Sequence, residues 1–378
     1  MVNDEIAIYV HWPFCESKCP YCDFNSHVRD GIDHEKFLRC YLMEFDSYKD
    51  TIADKRIKSI FFGGGTPSLA LPKMFSEIID YISKLAIVDS MTEITIEANP
   101  SSSEAVKFID FAAAGVNRLS IGVQSLDDRA LKFLGRKHSS AQAKDAIECA
   151  EKVFQSYSID MIYALPWHTQ KLWHKELNEI LQYTQHHISL YQLTIEKGTP
   201  FFKDYANRQF KLPNDDLSVN LYEITDLVLT DHGYYRYEIS NHAHPHFECK
   251  HNMAYWCYQD YIGVGPGAHS RISVDGVKYA NVNFHSPEKW LSSLSEGVSC
   301  KQTQHILTED EQHKERILMG LRMAKGIPMH YIESDISDFD GKLYELIEAG
   351  LLQINDDYVS TTKQGTILLN KIVEELCK

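Results

Sequence analysis

The sequence predicts an α/β protein: a partial (β/α)6 TIM-like barrel followed by a small C-terminal α+β domain that resembles a winged helix. Six short apolar runs rich in β-branched and aromatic residues alternate with stretches of helical apolar spacing, and this pattern ends near residue 235. Six units fall short of the eight that close a TIM barrel, so an open barrel is favoured and a doubly wound sheet is the alternative. In both folds, functional residues gather at the carboxyl ends of the strands.

The six runs predict parallel strands with helices outside them, because parallel connections need crossovers. Helical spacing separates the runs, as in the apolar positions of residues 75–85. Residues 1–235 are therefore assigned to the barrel. The predicted strands are IAIYVHW (6–12), IKSIFFG (57–63), EITIEAN (93–99), VNRLSIGV (116–123), SIDMIYAL (158–165) and HISLYQL (187–193).

The rest of the chain is divided into two parts. Residues 236–304 have no clean period and are expected to extend the barrel and wrap its edge. Residues 305–378 form the C-terminal domain, in which 307–327 read as a helix that begins with a capping box from Thr308 to Glu311. Helix, short hairpin and helix are predicted over 342–376, and the acidic balance there disfavours contact with DNA.

Charge and cysteine content exclude several classes of protein. The chain has 378 residues, with 38 Lys and Arg against 53 Asp and Glu, and the net charge of −15 disfavours a broad nucleic-acid-binding face. It has no apolar run of about 18 residues, and its N-terminus carries Asp and Glu instead of a signal peptide, so a cytoplasmic location is expected. Nine cysteines in such a chain indicate reduced thiols or metal ligands.

Three of those cysteines form a tight cluster directly after the first predicted strand. Cys15, Cys19 and Cys22 have the spacing CxxxCxxC, which favours an iron–sulfur cluster with one iron left open to an external ligand. Structural zinc is the alternative, and it would need His11 or His27 as a fourth ligand. Three ordinary buried cysteines are the remaining explanation.

Polar residues and glycines occur at the ends of the next strands, where burial without partners is costly. A network of mutual hydrogen bonds is one explanation, and a shared zwitterionic ligand with ribose hydroxyls is the other. Arginine suits a carboxylate, whereas acidic side chains accept from amines or hydroxyls. Tyr9 and Tyr21 flank the cysteine cluster, and the strand-end residues are Gly63, Gly64, Gly65, Thr66, Glu97, Gln124, Arg136 and Asp160.

The motifs YVHWPFCESKCPYCDF, FFGGGTP, IEANP, GVNRLSIGVQS, LGRKH and DMIYALP occur in this order. Over about residues 6–270 the chain resembles the oxygen-independent coproporphyrinogen oxidase superfamily of radical S-adenosylmethionine (radical SAM) proteins. The resemblance implies a barrel of the radical SAM type, with a 4Fe–4S cluster on the three cysteines and S-adenosylmethionine on the open iron. The residues it assigns to S-adenosylmethionine are Tyr9, Tyr21, Gly64, Gly65, Thr66, Glu97, Gln124, Arg136, Asp160 and Thr194.

Two subgroups share these motifs. The oxidases have a long extension before the first cysteine and another cysteine two residues after the third, whereas here 14 residues precede Cys15 and that later position is Phe24. HNMAYW (251–256) matches the HNxxYW motif of the other subgroup, the heme chaperones. The resemblance therefore implies that His251, Asn252, Tyr255 and Trp256 are associated with heme as cargo.

Heme transfer is the expected function, and respiratory heme proteins are the acceptors that the resemblance implies. Acceptors at the cytoplasmic membrane would bring a transient membrane association. Imidazole ligates heme iron and aromatic rings pack on the macrocycle, but the histidines at 242, 244, 246 and 269 compete with His251 for that role, and Cys249 and Cys257 flank the motif as free-thiol candidates.

Two other functional hypotheses stand beside the chaperone. One is catalysis, the oxidative decarboxylation of coproporphyrinogen III to protoporphyrinogen IX. The other is a structural or regulatory cluster, for instance one that controls formation of a homodimer. The sequence is therefore compatible with an enzyme and with a chaperone that has no catalytic activity.

Overall fold

The computed structural model of the chain describes residues 5–332 and 339–378. Its strands are β1 (Glu5–Trp12), β2 (Phe14–Cys15), β3 (His27–Val28), β4 (Arg56–Gly64), β5 (Glu93–Ala98), β6 (Arg118–Gln124), β7 (Ser156–Tyr163), β8 (His187–Gln192), β9 (Tyr235–Arg236), β10 (Asn241–Ala243), β11 (Tyr261–Val264), β12 (His269–Val274), β13 (Val277–Asn283), β14 (Lys301–Ile306), β15 (Ile327–Pro328), β16 (Leu352–Asn355) and β17 (Tyr358–Thr361).

In the described part of the chain, the first eight helices connect consecutive parallel strands of the barrel and cover its outer face. They are α1 (His34–Asp46), α2 (Lys49–Ile52), α3 (Pro72–Leu85), α4 (Ser102–Ala105), α5 (Phe108–Ala113), α6 (Asp128–Phe133), α7 (Ser140–Val153), α8 (Gln170–Ile180), α9 (Pro200–Ala206), α10 (Asp215–Asp231), α11 (Lys250–Trp256), α12 (Pro287–Ser295), α13 (Glu309–Gly320), α14 (Phe339–Glu348), α15 (Lys363–Ile367) and α16 (Leu369–Leu376). In the described part of the chain, no helix is both long and apolar enough to cross a membrane.

Six parallel strands form the centre of a sheet with the order β14-β13-β12-β11-β1-β4-β5-β6-β7-β8-β10-β9. Strands β1, β4, β5, β6, β7 and β8 are the six predicted runs, and neighbouring strands in this group pair in parallel. Helices complete each crossover between them. The partial (β/α)6 barrel is therefore confirmed, and the doubly wound alternative is wrong, because the strands follow one another in sheet order without a reversal.

The two faces of these strands differ in polarity. The apolar residues of β1, β4, β5 and β6 that point outward pack against the helices in the main hydrophobic core, as Ile60 and Ile96 do. The alternate residues point into the barrel and are mostly polar, because successive side chains of a strand face opposite sides. Inward residues include Ser59, Glu93, Glu97, Arg118, Ser120, Ser158, Asp160, His187 and Ser189.

The extension after residue 235 adds strands to both ends of the barrel sheet. Strands β9 and β10 add antiparallel to β8, while β11 adds parallel to β1 and continues into the antiparallel strands β12 to β14. Strands of this segment thus continue the barrel sheet on both sides. The strands β12 to β14 were not predicted, because runs such as KQTQHI in the exposed β14 lack apolar periodicity.

The C-terminal region has its own small core, formed by residues such as Ile317, Leu343 and Ile372. The capping box is present, since Glu311 N–H donates to Thr308 Oγ1 at 3.2 Å and Thr308 N–H donates to Glu311 Oε2 at 2.8 Å. The helix–hairpin–helix pattern is confirmed by α14, β16, β17 and α16. Helix α13 ends at Gly320, seven residues before the predicted end, because Ile327 turns back to pair with β17. The boundaries near 235 and 304 stay a prediction.

Candidate functional site

A cavity of about 380 Å³ opens at the carboxyl ends of the parallel strands. Its volume is in the range of pockets that hold small ligands and cofactors. The cysteine loop and the residues after β4, β5, β6, β7 and β8 line it. The predicted site residues that it brings together are Cys15, Cys19, Cys22, Tyr21, Gly64, Gly65, Thr66, Glu97, Gln124, Arg136, Asp160 and Thr194.

The cysteine loop is held in place by a short strand pair and by contacts with the segments after β11 and β13. At its start β2 pairs with β3, and His27 N–H donates to Pro13 O at 2.7 Å. Further along, the Asn25 amide donates to Pro266 O and to His285 O, both at 3.0 Å. All three cysteines are half-buried free thiols, so the loop presents them to the cavity without a disulfide.

The surroundings of the thiols suit metal-bound sulfur. Thr66 Oγ1 donates to Cys15 Sγ and Arg136 Nη1 donates to Cys19 Sγ, each at 3.5 Å. Burial raises the pKa of the Cys15 and Cys22 thiols, whereas such donors favour the thiolate, the form that binds iron.

In this geometry His11 is not available as the fourth ligand of the zinc alternative. His11 Nε2 donates to Asn25 O at 2.9 Å and His11 Nδ1 accepts from the Tyr9 hydroxyl at 3.0 Å, so both ring nitrogens are engaged. His27 Nε2 lies 3.2 Å from Asn25 Oδ1. Within residues 5–332 and 339–378, no three His, Cys, Asp or Glu side chains are arranged around a single ion. Ligands to separate irons of a cluster need no such convergence, because the cluster spans the space between them.

The glycine turn after β4 lies directly against β1 and β2. Gly64 has φ +113°, and a Cβ atom there would lie 2.4 Å from a ring carbon of His11. A Cβ on Gly65 would lie 2.5 Å from the Phe14 carbonyl oxygen. Only glycine allows this close approach, which places Thr66 beside the cysteine loop.

Two acidic side chains, Glu97 and Asp160, also line the cavity. Glu97 Oε2 accepts from Gly64 N–H at 3.0 Å, and burial together with Asp160 raises the pKa of Glu97 to about 8. Ser120 Oγ donates to Asp160 Oδ2 at 2.9 Å, and burial raises the pKa of Asp160. A cationic or hydroxyl-bearing ligand would relieve the cost of ionising these carboxyls.

Arg136 is a cationic side chain that lines the cavity. Its Nη2 group donates to Asn99 Oδ1 at 2.6 Å and to Gly122 O at 2.9 Å, while Nε is buried without a partner among the described residues. Asn99 and Ser120 line the cavity but were not identified as site residues in the sequence. Their spacing in the sequence could have identified both residues. Asn99 is two residues after Glu97, and Ser120 is four residues before Gln124. Such even spacing places side chains on the same face of a strand.

A second, smaller chamber of about 180 Å³ lies deeper in the barrel. It shares Glu97, Ser120, Asp160 and Tyr191 with the first cavity. Tyr9, which was predicted to contact the nucleotide ligand, lines this deeper chamber and not the larger cavity. Its hydroxyl donates to His11 Nδ1, so in this structure Tyr9 supports the layer beneath the site.

The HNxxYW segment forms the short helix α11, which closes the inner chamber. His251 is 2% exposed and stacks on Phe61 with ring centroids 4.9 Å apart. Its Nδ1 atom is 2.9 Å from Ser59 Oγ and its Nε2 atom is 3.0 Å from the Tyr255 hydroxyl. Burial lowers the pKa of His251 to about 3, so the ring is neutral at physiological pH.

The other motif residues surround His251 unequally. Asn252 and Tyr255 line the inner chamber with it. Trp256 points elsewhere, with the Arg322 guanidinium 5.7 Å from its ring centroid. The structure therefore brings three of the four predicted heme residues together and leaves Trp256 apart from them.

Glu93 holds the start of α11, and the sequence analysis did not identify it as a site residue. Its carboxylate accepts from Lys250 N–H at 3.1 Å, from His251 N–H at 3.2 Å and from the Cys249 thiol at 3.4 Å. Arg118 Nε lies 3.8 Å from the same carboxylate. The buried end of the motif helix is thus tied to β5 and β6.

Comparison with known proteins assigns the family. Residues 9–178 match the radical SAM superfamily, and residues 307–368 match the HemN C-terminal domain. The chain is 33% identical to the heme chaperone HemW of Escherichia coli, over 98% of this chain and 97% of that protein. It belongs to the HemW family of radical SAM proteins. The HemW family match confirms the resemblance that the motifs indicated.

Other similarities agree with this membership of the HemW family. The chain is 35% identical to the mitochondrial radical S-adenosyl methionine domain-containing protein 1 of Danio rerio, over 98% of this chain and 86% of that protein. The solved structure of coproporphyrinogen III oxidase (HemN) from Escherichia coli, a radical SAM enzyme, superposes with a TM-score of 0.82 over 99% of this chain and 90% of that one. At 21% identity, that likeness shows the shared fold.

Proposed function

We propose that this HemW-family protein is a heme chaperone, which binds heme as cargo and passes it to acceptor heme proteins. The observation that carries the proposal is the 33% identity with the Escherichia coli heme chaperone over nearly the full length of both chains. The HNxxYW motif on α11 accords with it. Respiratory heme proteins are the proposed acceptors, and transient membrane association, a cluster-dependent homodimer and a cytoplasmic location stay predictions.

The radical SAM core is proposed to hold a 4Fe–4S cluster through Cys15, Cys19 and Cys22, which lie on one loop at the cavity. Bound there, the cluster and S-adenosylmethionine supply one-electron reducing chemistry. The chain's own groups account for binding. Arg136 offers its guanidinium to a carboxylate, and Glu97 and Asp160 accept hydrogen bonds from an amine or hydroxyls.

The proposed heme residues are His251, Asn252, Tyr255 and Trp256. His251 contributes a neutral imidazole, which is the form that ligates iron. Its nitrogens have the Ser59 and Tyr255 hydroxyls as hydrogen-bond partners, so ligation of heme iron by His251 requires one of these two hydrogen bonds to break. The 180 Å³ of the inner chamber is below the usual size of a pocket for a large ligand.

Heme transfer and porphyrinogen oxidation are distinguishable with the same purified, anaerobically reconstituted protein. In one assay, the heme-loaded chain is mixed with an apo-cytochrome, and transfer is followed by absorbance. In the other, the chain receives coproporphyrinogen III, S-adenosylmethionine and a reductant. We expect heme to reach the acceptor and no protoporphyrinogen IX to accumulate. Enzyme-like formation of protoporphyrinogen IX without heme transfer would replace the proposal with the oxidase function.

A further inference from the structure

Imidazole and aromatic side chains gather at the amino end of β8, opposite the cavity end of that strand. His186 stacks on Phe247, with 3.9 Å between ring centroids. His244 lies 5.9 Å from His186 and packs against Tyr234 at 4.1 Å. We call His186, His244, Phe247 and the neighbouring Tyr235 the imidazole patch.

The backbone holds this patch together. His244 N–H donates to His186 O at 2.9 Å, and Phe247 N–H donates to His244 O at 3.0 Å, which closes a turn over residues 244–247. Tyr235 pairs with Ala243 across β9 and β10, so it lies beside the same turn. Phe247 is 38% exposed and Tyr235 is 54% exposed, so the patch presents aromatic surface to solvent.

The hydrogen bond of the His244 ring suits metal binding. Its Nδ1 atom lies 2.9 Å from Gly233 O, and because a carbonyl oxygen only accepts, the proton is on Nδ1 and the lone pair on Nε2. Imidazoles that ligate metals usually have the other ring nitrogen held in this way.

We propose that the imidazole patch binds heme, with His244 Nε2 as an axial ligand of the iron and Phe247 and Tyr235 against the macrocycle. Two imidazoles are too few for a structural zinc ion, which takes four protein ligands, whereas heme iron needs only one or two. Exposed aromatic rings suit a flat apolar macrocycle. The proposal rests on the proposed chaperone function and adds an accessible heme position to the buried one at His251.

Titration of the full-length chain with ferric heme, followed by Soret absorbance, tests the site. His244→Ala is compared with His251→Ala and with His174→Ala, a control that removes an imidazole from the surface of α8. We expect His244→Ala to weaken heme binding at least about tenfold, the effect of losing roughly 1.4 kcal/mol, and to lose the imidazole-ligated spectrum. Added free imidazole should restore that spectrum, and His174→Ala should bind as the parent protein does.

The possible outcomes distinguish a failure of the imidazole patch from a failure of the proposed chaperone function. Unchanged heme binding in His244→Ala overturns the patch, and does so without touching the chaperone proposal. Absence of heme binding in the parent protein overturns both. Zinc binding that His244→Ala abolishes, with heme binding intact, would make the patch a metal-ion site. If His244→Ala proves unfolded by circular dichroism, Phe247→Ser provides the second test: weaker heme binding with the imidazole spectrum retained supports the patch, and unchanged affinity overturns it.

Discussion

Arg136 Nη1 lies 3.5 Å from Cys19 Sγ, while Nη2 of the same guanidinium donates to Asn99 Oδ1 at 2.6 Å. One side chain thus connects the cysteine loop to the end of β5. This link explains why the loop and the cavity wall after β5 form a single site, although Arg136 and Cys19 are 117 positions apart.

Replacing Arg136 with Ala is expected to weaken binding of S-adenosylmethionine more than it weakens the fold. Hydrogen bonds to charged groups contribute roughly 1.5–3 kcal/mol, so affinity should fall about 10- to 100-fold. Calorimetric titration of the reconstituted protein measures this. Lys132→Ala, on the exposed side of α6, is the matched loss of a positive charge. Equal affinities in both variants would contradict the role of Arg136.

Iron content should depend on the three loop cysteines and not on the total number of cysteines in the chain. A 4Fe–4S cluster gives about four irons per chain, and the Cys19→Ser variant is expected to lose most of them. Cys149→Ser is the control, because that thiol lies on α7, away from the cysteine loop, and donates to Ala105 O at 3.8 Å. Iron and sulfide are assayed after anaerobic reconstitution. Full iron content in Cys19→Ser would rule out the assigned cluster ligands.

Stability should decrease with rising pH because of Glu97. Its pKa in the folded chain is about 8, above its ordinary value, so its stabilising contribution is complete below about pH 4.5 and is lost as the pH rises through about 8. We expect Glu97→Gln to remove this loss of stability. The free energy of unfolding of the variant, relative to that of the parent, should therefore be higher at about pH 9 than at about pH 6. Urea unfolding at both pH values gives the difference in free energy. Parallel pH profiles for the two proteins would show that Glu97 ionises normally.

Glu93 is expected to determine the position of the HNxxYW helix. Glu93→Ala leaves Lys250 N–H and His251 N–H without their acceptor and Arg118 without its partner, which should cost roughly 1–3 kcal/mol. Hydrogen exchange of residues 250–256 should increase locally. Glu77→Ala, which removes an exposed pair with Lys73, serves as the control. Unaltered exchange in α11 would mean that Glu93 does not determine the position of the motif helix.

Much of the barrel and of the cavity was accessible from the sequence, because both depend on local signals. Alternating apolar runs indicated all six parallel strands, and the Thr308 capping box located the start of α13. The spacing of Cys15, Cys19 and Cys22 placed three thiols on one loop. Residues at strand ends, such as Glu97 and Asp160, were expected to meet because parallel strands end at one edge of the sheet.

The sequence by itself therefore determined the fold class, the cysteine loop and the edge of the barrel where the site lies. Only the tertiary structure decided the rest. It placed Tyr9 beneath the cavity, buried His251 between Ser59 and Tyr255, and brought Glu93 to the start of α11. Those outcomes depend on which face of each strand points into the barrel and on contacts between residues more than 150 positions apart. Local periodicity contains no information about such contacts, because strand pairing and helix packing set them.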